Sequence, residues 1–99
     1  MTFTVKLGIA YYYKGFINIK KRYSDYFGDH EAPIEVHLGR WGNRNTFYSV
    51  VNRTINPNHM PRIYMSTPYI TWVQAKYRLG DELIIEILNP EYPNAMLIR

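Results

Sequence analysis

The sequence predicts a small single-domain α+β protein: a twisted, mainly antiparallel five-stranded sheet with two helices packed on one of its faces. Three observations carry this. Apolar residues alternate along Thr2–Ala10 and again along Ile34–Leu38, the period of a half-buried strand. The spacing switches to a helical one between Phe16 and Phe27, and again after Thr67. The chain has 99 residues, 46% hydrophobic and 20% charged, and at this length roughly 60–70% of the unfolded surface can be buried in one core.

The first strand puts Phe3, Val5, Leu7 and Ile9 on one side against Thr4, Lys6 and Gly8. Phe16, Ile19, Tyr23, Tyr26 and Phe27 then line one stripe of a helix over about 16–27, with Lys14, Asn18, Lys21, Arg22 and Asp25 opposite. On this reading the three leading tyrosines of YYYKGFINIKKRY belong to the strand end and the turn, the rest is two helical faces read on one line, and Gly28 supplies the left-handed terminus. Ile34, Val36 and Leu38 start a second strand, and Thr46–Arg53 returns as its antiparallel partner after the turn GRWGNRN. Asn56-Pro57-Asn58 turns into a short strand, Arg62–Ser66. Thr67-Pro68 opens a second helix whose stripe is Ile70, Val73 and Tyr77. Gly80-Asp81 leads into Glu82–Leu88, apolar enough for a central strand buried on both faces. Asn89–Asn94, with two prolines, is a loop before a terminal strand, Ala95–Ile98. Two helices cannot wrap both faces of such a sheet, so one face stays open or pairs with another copy.

Composition removes several functions. Without cysteine there is neither a disulfide nor a thiolate metal site. There is no Gly-x-Ser-x-Gly, no phosphate-cradling glycine loop and no His-x-x-x-His, so the expectation is a non-enzymatic chain without cofactor or metal. Asp29-His30-Glu31 could ligate a metal, but a solvated loop is the favoured reading. The longest apolar run is too short to cross a membrane, and the start of the chain lacks the features of a signal peptide. The expected setting is therefore intracellular. A formal charge of +4 leans toward polyanionic partners without requiring them.

Two surfaces could bind a partner. In the loop Gly39–Asn45, Arg40 and Arg44 flank Trp41 and could hold phosphates while the ring stacks a base; Lys20, Lys21 and Arg22 could add charge. The favoured reading of this loop is a surface turn with Trp41 folded back onto the sheet. Tyr69, Trp72 and Lys76 form a second stripe on the later helix, exposed as a protein-binding spot or packed against the first helix.

The stretch WVQAKYRLGDELIIEIL resembles the helix, Gly-Asp turn and strand of small β-barrel DNA binders such as plant-type B3 and AbrB-like domains, without carrying over any DNA-contacting residue. Over the whole chain, GIAYYYKGFINIKKRYSDYF and WVQAKYRLGDELIIEILNP resemble small proteins of filamentous viruses of thermoacidophilic archaea, those of Acidianus filamentous virus and its lipothrixvirus and rudivirus relatives. That resemblance implies a heat- and acid-stable viral accessory protein in the host cytoplasm, with two helices on one side of a five-stranded sheet and no assigned activity. The favoured reading is a binder of a host or viral protein, with self-association as a homodimer through the open sheet face. The alternative is a basic nucleic-acid-binding module using the loop Gly39–Asn45. On the helical reading of 16–27, Ile19→Pro unfolds the domain, which loss of a cooperative thermal transition would register.

Overall fold

A computed structural model describes residues 1–42, 44, 46–87 and 94–99. The described residues form seven strands in one curled sheet, ordered β1-β6-β7-β3-β4-β5-β2. These are β1 (Thr2–Lys6), β2 (Phe16–Asn18), β3 (Pro33–Leu38), β4 (Thr46–Asn52), β5 (Arg62–Tyr64), β6 (Glu82–Ile87) and β7 (Asn94–Ile98). Helix α1 covers Ile9–Tyr13, α2 covers Ser66–Lys76, and a 3-10 helix covers Lys21–Phe27. The α+β class holds, but the sheet is larger than the five strands expected. Every neighbouring pair is antiparallel except β3–β7, which is parallel.

Where alternation is clean, sequence and structure agree, but the first strand, expected over Thr2–Ala10, stops at Lys6, and Ile9 and Ala10 open α1 with Ile9 67% exposed instead of on the apolar face. Ile34, Val36 and Leu38 are buried, and β3 pairs with β4 in the expected hairpin, Val36 opposite Phe47. In β6, Leu83, Ile85 and Ile87 point into the core while Ile84 is 39% exposed. This strand is central, between β1 and β7, yet buried on one face rather than two. Leu88 and most of the loop Asn89–Asn94 lie outside the described residues.

The helix expected over 16–27 is not there. Phe16–Asn18 is β2, paired with β5 through Phe16↔Tyr64, Ile17↔Ile63 and Asn18↔Arg62, and the 3-10 helix follows. The inward residues are Ile17 and Ile19, both fully buried, so the operative period is two. Gly15 enforces the change. Its φ of +72° ends α1, and its carbonyl accepts the N–H groups of Met65 at 2.7 Å and Ser66 at 3.0 Å. That junction fixes the chain as an edge strand against β5. Ile19 donates its own N–H to Pro61 O at 2.8 Å, so proline at this position is disruptive for a strand reason rather than a helical one.

In α2 the buried residues are Tyr69, Trp72 and Val73, while Ile70 and Tyr77 are half-buried. Tyr69 and Trp72 thus enter the core with Val73, whereas Ile70 and Tyr77, expected in the inward stripe, reach only its margin. The helices pack on each other: Tyr69 Oη donates to Tyr11 O at 2.6 Å, Tyr12 Oη to Tyr77 O at 2.8 Å, and Gln74 Nε2 to Tyr12 O at 3.0 Å. Burial, with Tyr11 nearby, pushes the Tyr69 phenol well above its ordinary range, so it serves as a neutral donor.

The edges of the sheet are β1 and β2, each with a single neighbour. The 3-10 helix reaches from one to the other. Tyr23 stacks on Phe3 of β1 with ring centroids 4.2 Å apart and planes 10° from parallel, and Phe27 meets Phe3 edge-on. Gly15→Ala should be costly, because its Cβ would lie 3.0 Å from both Ile70 Cδ1 and the Ser66 Cα. A loss of about 2–4 kcal/mol is expected in urea denaturation. Gly42→Ala, with φ +71° and nothing within 4 Å, should lose only about 1–2 kcal/mol.

Candidate nucleic-acid interface

Charge is divided unevenly along the chain. Residues 1–24 and 36–80 contain no Asp or Glu, yet hold every Lys and Arg except Arg99. Strands β1, β2, β4 and β5 and helices α1 and α2 are therefore free of carboxylates. Among the described residues, Arg99–Glu86 at 3.8 Å is the one Lys or Arg paired with a carboxylate. The remaining Lys and Arg side chains have no carboxylate within 4 Å among the described residues.

Two arginines at the ends of the β4–β5 loop show what replaces it. Arg62 lies half-buried on β5, its guanidinium 4.0 Å above the Phe16 ring and 5.7 Å from that of Tyr64. Its Nε donates to Asn18 Oδ1 at 2.9 Å, Nη2 to Asn56 Oδ1 at 3.3 Å and Nη1 to Tyr64 Oη at 3.3 Å. Asn56 Nδ2 donates to the same Asn18 oxygen at 3.1 Å. Arg53 is held the same way: Nη1 and Nη2 donate to Ser24 Oγ and Ser24 O at 2.5 and 2.6 Å, and Nε to Gly28 O at 2.8 Å. All these acceptors are neutral. They fix the guanidinium planes without cancelling the charge, so both arginines present a fixed positive field.

Lys20, Lys21 and Arg22, all exposed, continue from β2 into the 3-10 helix. Since Asn18 pairs with Arg62 and Asn52 with Arg62, this run and both arginines share one end of β4. The acids nearest in sequence are Asp25, exposed in the same 3-10 helix three residues after Arg22, and Asp29 and Glu31; none forms an ion pair with these cations among the described residues.

Arg40, Trp41 and Arg44 lie elsewhere. Their turn caps the other end of β4, about 20 Å away along seven residues of strand. Trp41 is folded back: its Nε1 donates to Glu86 Oε1 at 3.2 Å, and its ring meets His37 at 4.8 Å. His37, only 7% exposed, accepts the Gly42 N–H on Nδ1 at 2.8 Å and sits 2.8 Å from Glu35 Oε1 through Nε2. The network assigns the proton to Nε2. The ring meant to stack a base is thus spent on holding the turn; Asn43 and Asn45 lie outside the described residues. The structure does not bring the two halves of the expected contact set together.

The stripe Tyr69, Trp72 and Lys76 does not form a protein-binding patch. Tyr69 is 0% and Trp72 6% exposed, while Lys76 is exposed in the last turn of α2, where a cation suits the helix end. His30 does not gather ligands either: Nδ1 accepts the Arg53 N–H at 3.0 Å, and Nε2 is 3.7 Å from Glu31. Among the described residues no three His, Asp or Glu side chains are placed to hold a metal, and no helix is long and apolar enough to cross a membrane. Sequence reasoning missed Arg53 and Arg62. The available signal was the long stretch without acids around them.

No protein-family model matches the chain, and no curated protein matches it. Among solved structures, the N-terminal domain of Helicobacter pylori LlaJI.R1 is similar, with a TM-score of 0.67 over 98% of this chain and 79% of that one, at 11% identity. At that identity the likeness shows the fold alone.

Arg53→Met should cost about 2–3 kcal/mol, because three donors leave and the Ser24 and Gly28 carbonyls lose their partner. Arg40→Met, at an exposed turn, should stay within about 0.5 kcal/mol. Chemical denaturation of the two variants side by side reads the difference.

Proposed function

We propose that the chain is a nucleic-acid-binding module whose contact surface is the basic corner around Lys20, Lys21, Arg22 and Arg62. The observation that carries this is the pair of half-buried guanidiniums, Arg53 and Arg62, held by neutral acceptors alone. A partly buried cation without a counter-ion lowers folding stability, and a polyanion supplies the missing charge on binding. The neighbouring run of three cations extends the field over a length suited to successive phosphates. The surface lies at the opposite end of β4 from the loop Gly39–Asn45.

A second reading, a protein partner or a second copy, has one observation in its favour. Tyr48, Val50 and Tyr64, 75%, 49% and 41% exposed, lie on the outer face of the sheet. Sedimentation of a concentrated sample decides self-association: a dimer abolished by Val50→Asp supports it, and a monomer at all concentrations removes it.

The polyanion reading predicts steep salt dependence. With four phosphate contacts, duplex affinity measured by fluorescence anisotropy should fall about a hundredfold between 50 and 200 mM salt. Replacing Lys20, Lys21 and Arg22 by glutamine should lower the slope by about 2–3. Absence of binding at 50 mM would sink the proposal.

A further inference from the structure

We propose that the seam between the free edges of β1 and β2 receives one unpaired nucleobase with its neighbouring phosphate. This rests on the nucleic-acid reading above. A groove of about 330 Å³ runs along the seam, within the size range of small-ligand sites, about 300–1,000 Å³. Its apolar lining includes Phe3, Tyr11 and Met60, its polar lining includes Asn18, and Lys6 and Lys20 stand on its two sides. No carboxylate lines it. Glu82 lies across from Lys6 in the β1–β6 register, but no ion pair forms within 4 Å.

The groove carries hydrogen-bonding groups without partners among the described residues. Ile84 exchanges both of its backbone bonds with Arg99, so the N–H and C=O of Thr4, its partner across β1–β6, point to the free side. Ile19 and Met65 donate to Pro61 and Gly15, which turns the odd-numbered residues of β2 toward β5 and leaves the Asn18 backbone facing outward. The Asn18 side chain is oriented by its neighbours. Its Oδ1 takes hydrogen bonds from Arg62 Nε and Asn56 Nδ2, so its Nδ2 is left to donate to a ligand.

These features suit a base. A planar ring can lie against Tyr11 and Met60, its carbonyl or ring nitrogen accepting from Asn18 Nδ2, its edge meeting the N–H and C=O of Thr4. The flanking phosphate falls between Lys6 and Lys20. An extended peptide could also pair with a free edge, but the 3-10 helix bridges the two strands at Phe3 and leaves a short pocket rather than a strand-long slot. Two lysines without a carboxylate between them favour a phosphodiester.

The test compares three twelve-residue probes by fluorescence anisotropy at one salt concentration: oligo-dT, an all-abasic deoxyribose-phosphate strand of the same charge, and a duplex. Oligo-dT should bind about tenfold more tightly than the abasic strand, and also more tightly than the duplex. Met60→Trp, which fills the groove, and Asn18→Ala, which removes the donor, should each shrink the preference over the abasic strand to less than threefold, and Met60→Trp should do so with the salt slope unchanged. Thermal melts confirm that both variants fold. Equal binding of oligo-dT and the abasic strand overturns the seam proposal and leaves the polyanion reading standing. So does a preference untouched by both variants, or tighter binding of the duplex. No binding to any probe at 50 mM salt overturns both. Protection of the Thr4 and Asn18 amides from hydrogen exchange by an acidic peptide but not by oligo-dT also overturns the proposal, in favour of strand addition.

Discussion

Two backbone N–H groups, from Met65 and Ser66, converge on the carbonyl of Gly15, and the architecture depends on that junction. It ends α1, starts α2 and aligns β2 against β5 in one place. With no Cβ at residue 15, the backbone of Ser66 comes close enough to accept the crossing. From there β2 can only run along the outside of β5, and the 3-10 helix that follows can turn back across the seam to lay Tyr23 on Phe3. The curl of the sheet and the nearness of its two edges both trace to this one contact between segments far apart in sequence.

The same corner gathers the arginines. Guanidinium groups are usually neutralised by carboxylates, often with two parallel hydrogen bonds. Here asparagine, serine, tyrosine and main-chain oxygens take that place. Neutral acceptors recover much of the hydrogen bonding lost on burial but little of the charge solvation. The outcome is geometric order combined with unspent electrostatic potential, a combination that favours stability less than it favours association with anions.

Much of the fold was legible where one face of an element is buried and its period is clean. Ile34, Val36 and Leu38 announce β3, and Leu83, Ile85 and Ile87 announce β6. The segment after Gly15 misleads because Phe16, Ile19, Tyr23 and Phe27 fall at helical spacings by joining a short strand to a 3-10 turn. The local pattern carried two short elements and the pairing with β5 chose between them. In α2, apolar side chains stand on nearly every side, so sequence could not say whether Ile70 or Tyr69 faces inward. The Arg62 cluster was illegible for another reason: its partners Asn18, Asn56 and Tyr64 come from three elements, and only the completed sheet sets them side by side. What sequence did display, the absence of acids over residues 36–80, needed the fold to show which cations meet.

The lone parallel pair bears on how the protein is made. β7 lies between β3 and β6, so the middle of the sheet is filled by its last strand: Ile34 pairs with Asn94, and Leu38 with Ile98. A chain emerging from the ribosome can form the β3–β4 hairpin early, yet β1 and β6 have nothing to join them to that hairpin until β7 arrives. Until then the strand edge of β3 is open and its apolar face uncovered, the condition that attracts chaperones. Closing the sheet therefore waits for β7, whose pairing joins the β1–β6 pair to the β3–β4 hairpin, rather than building up strand by strand from the first.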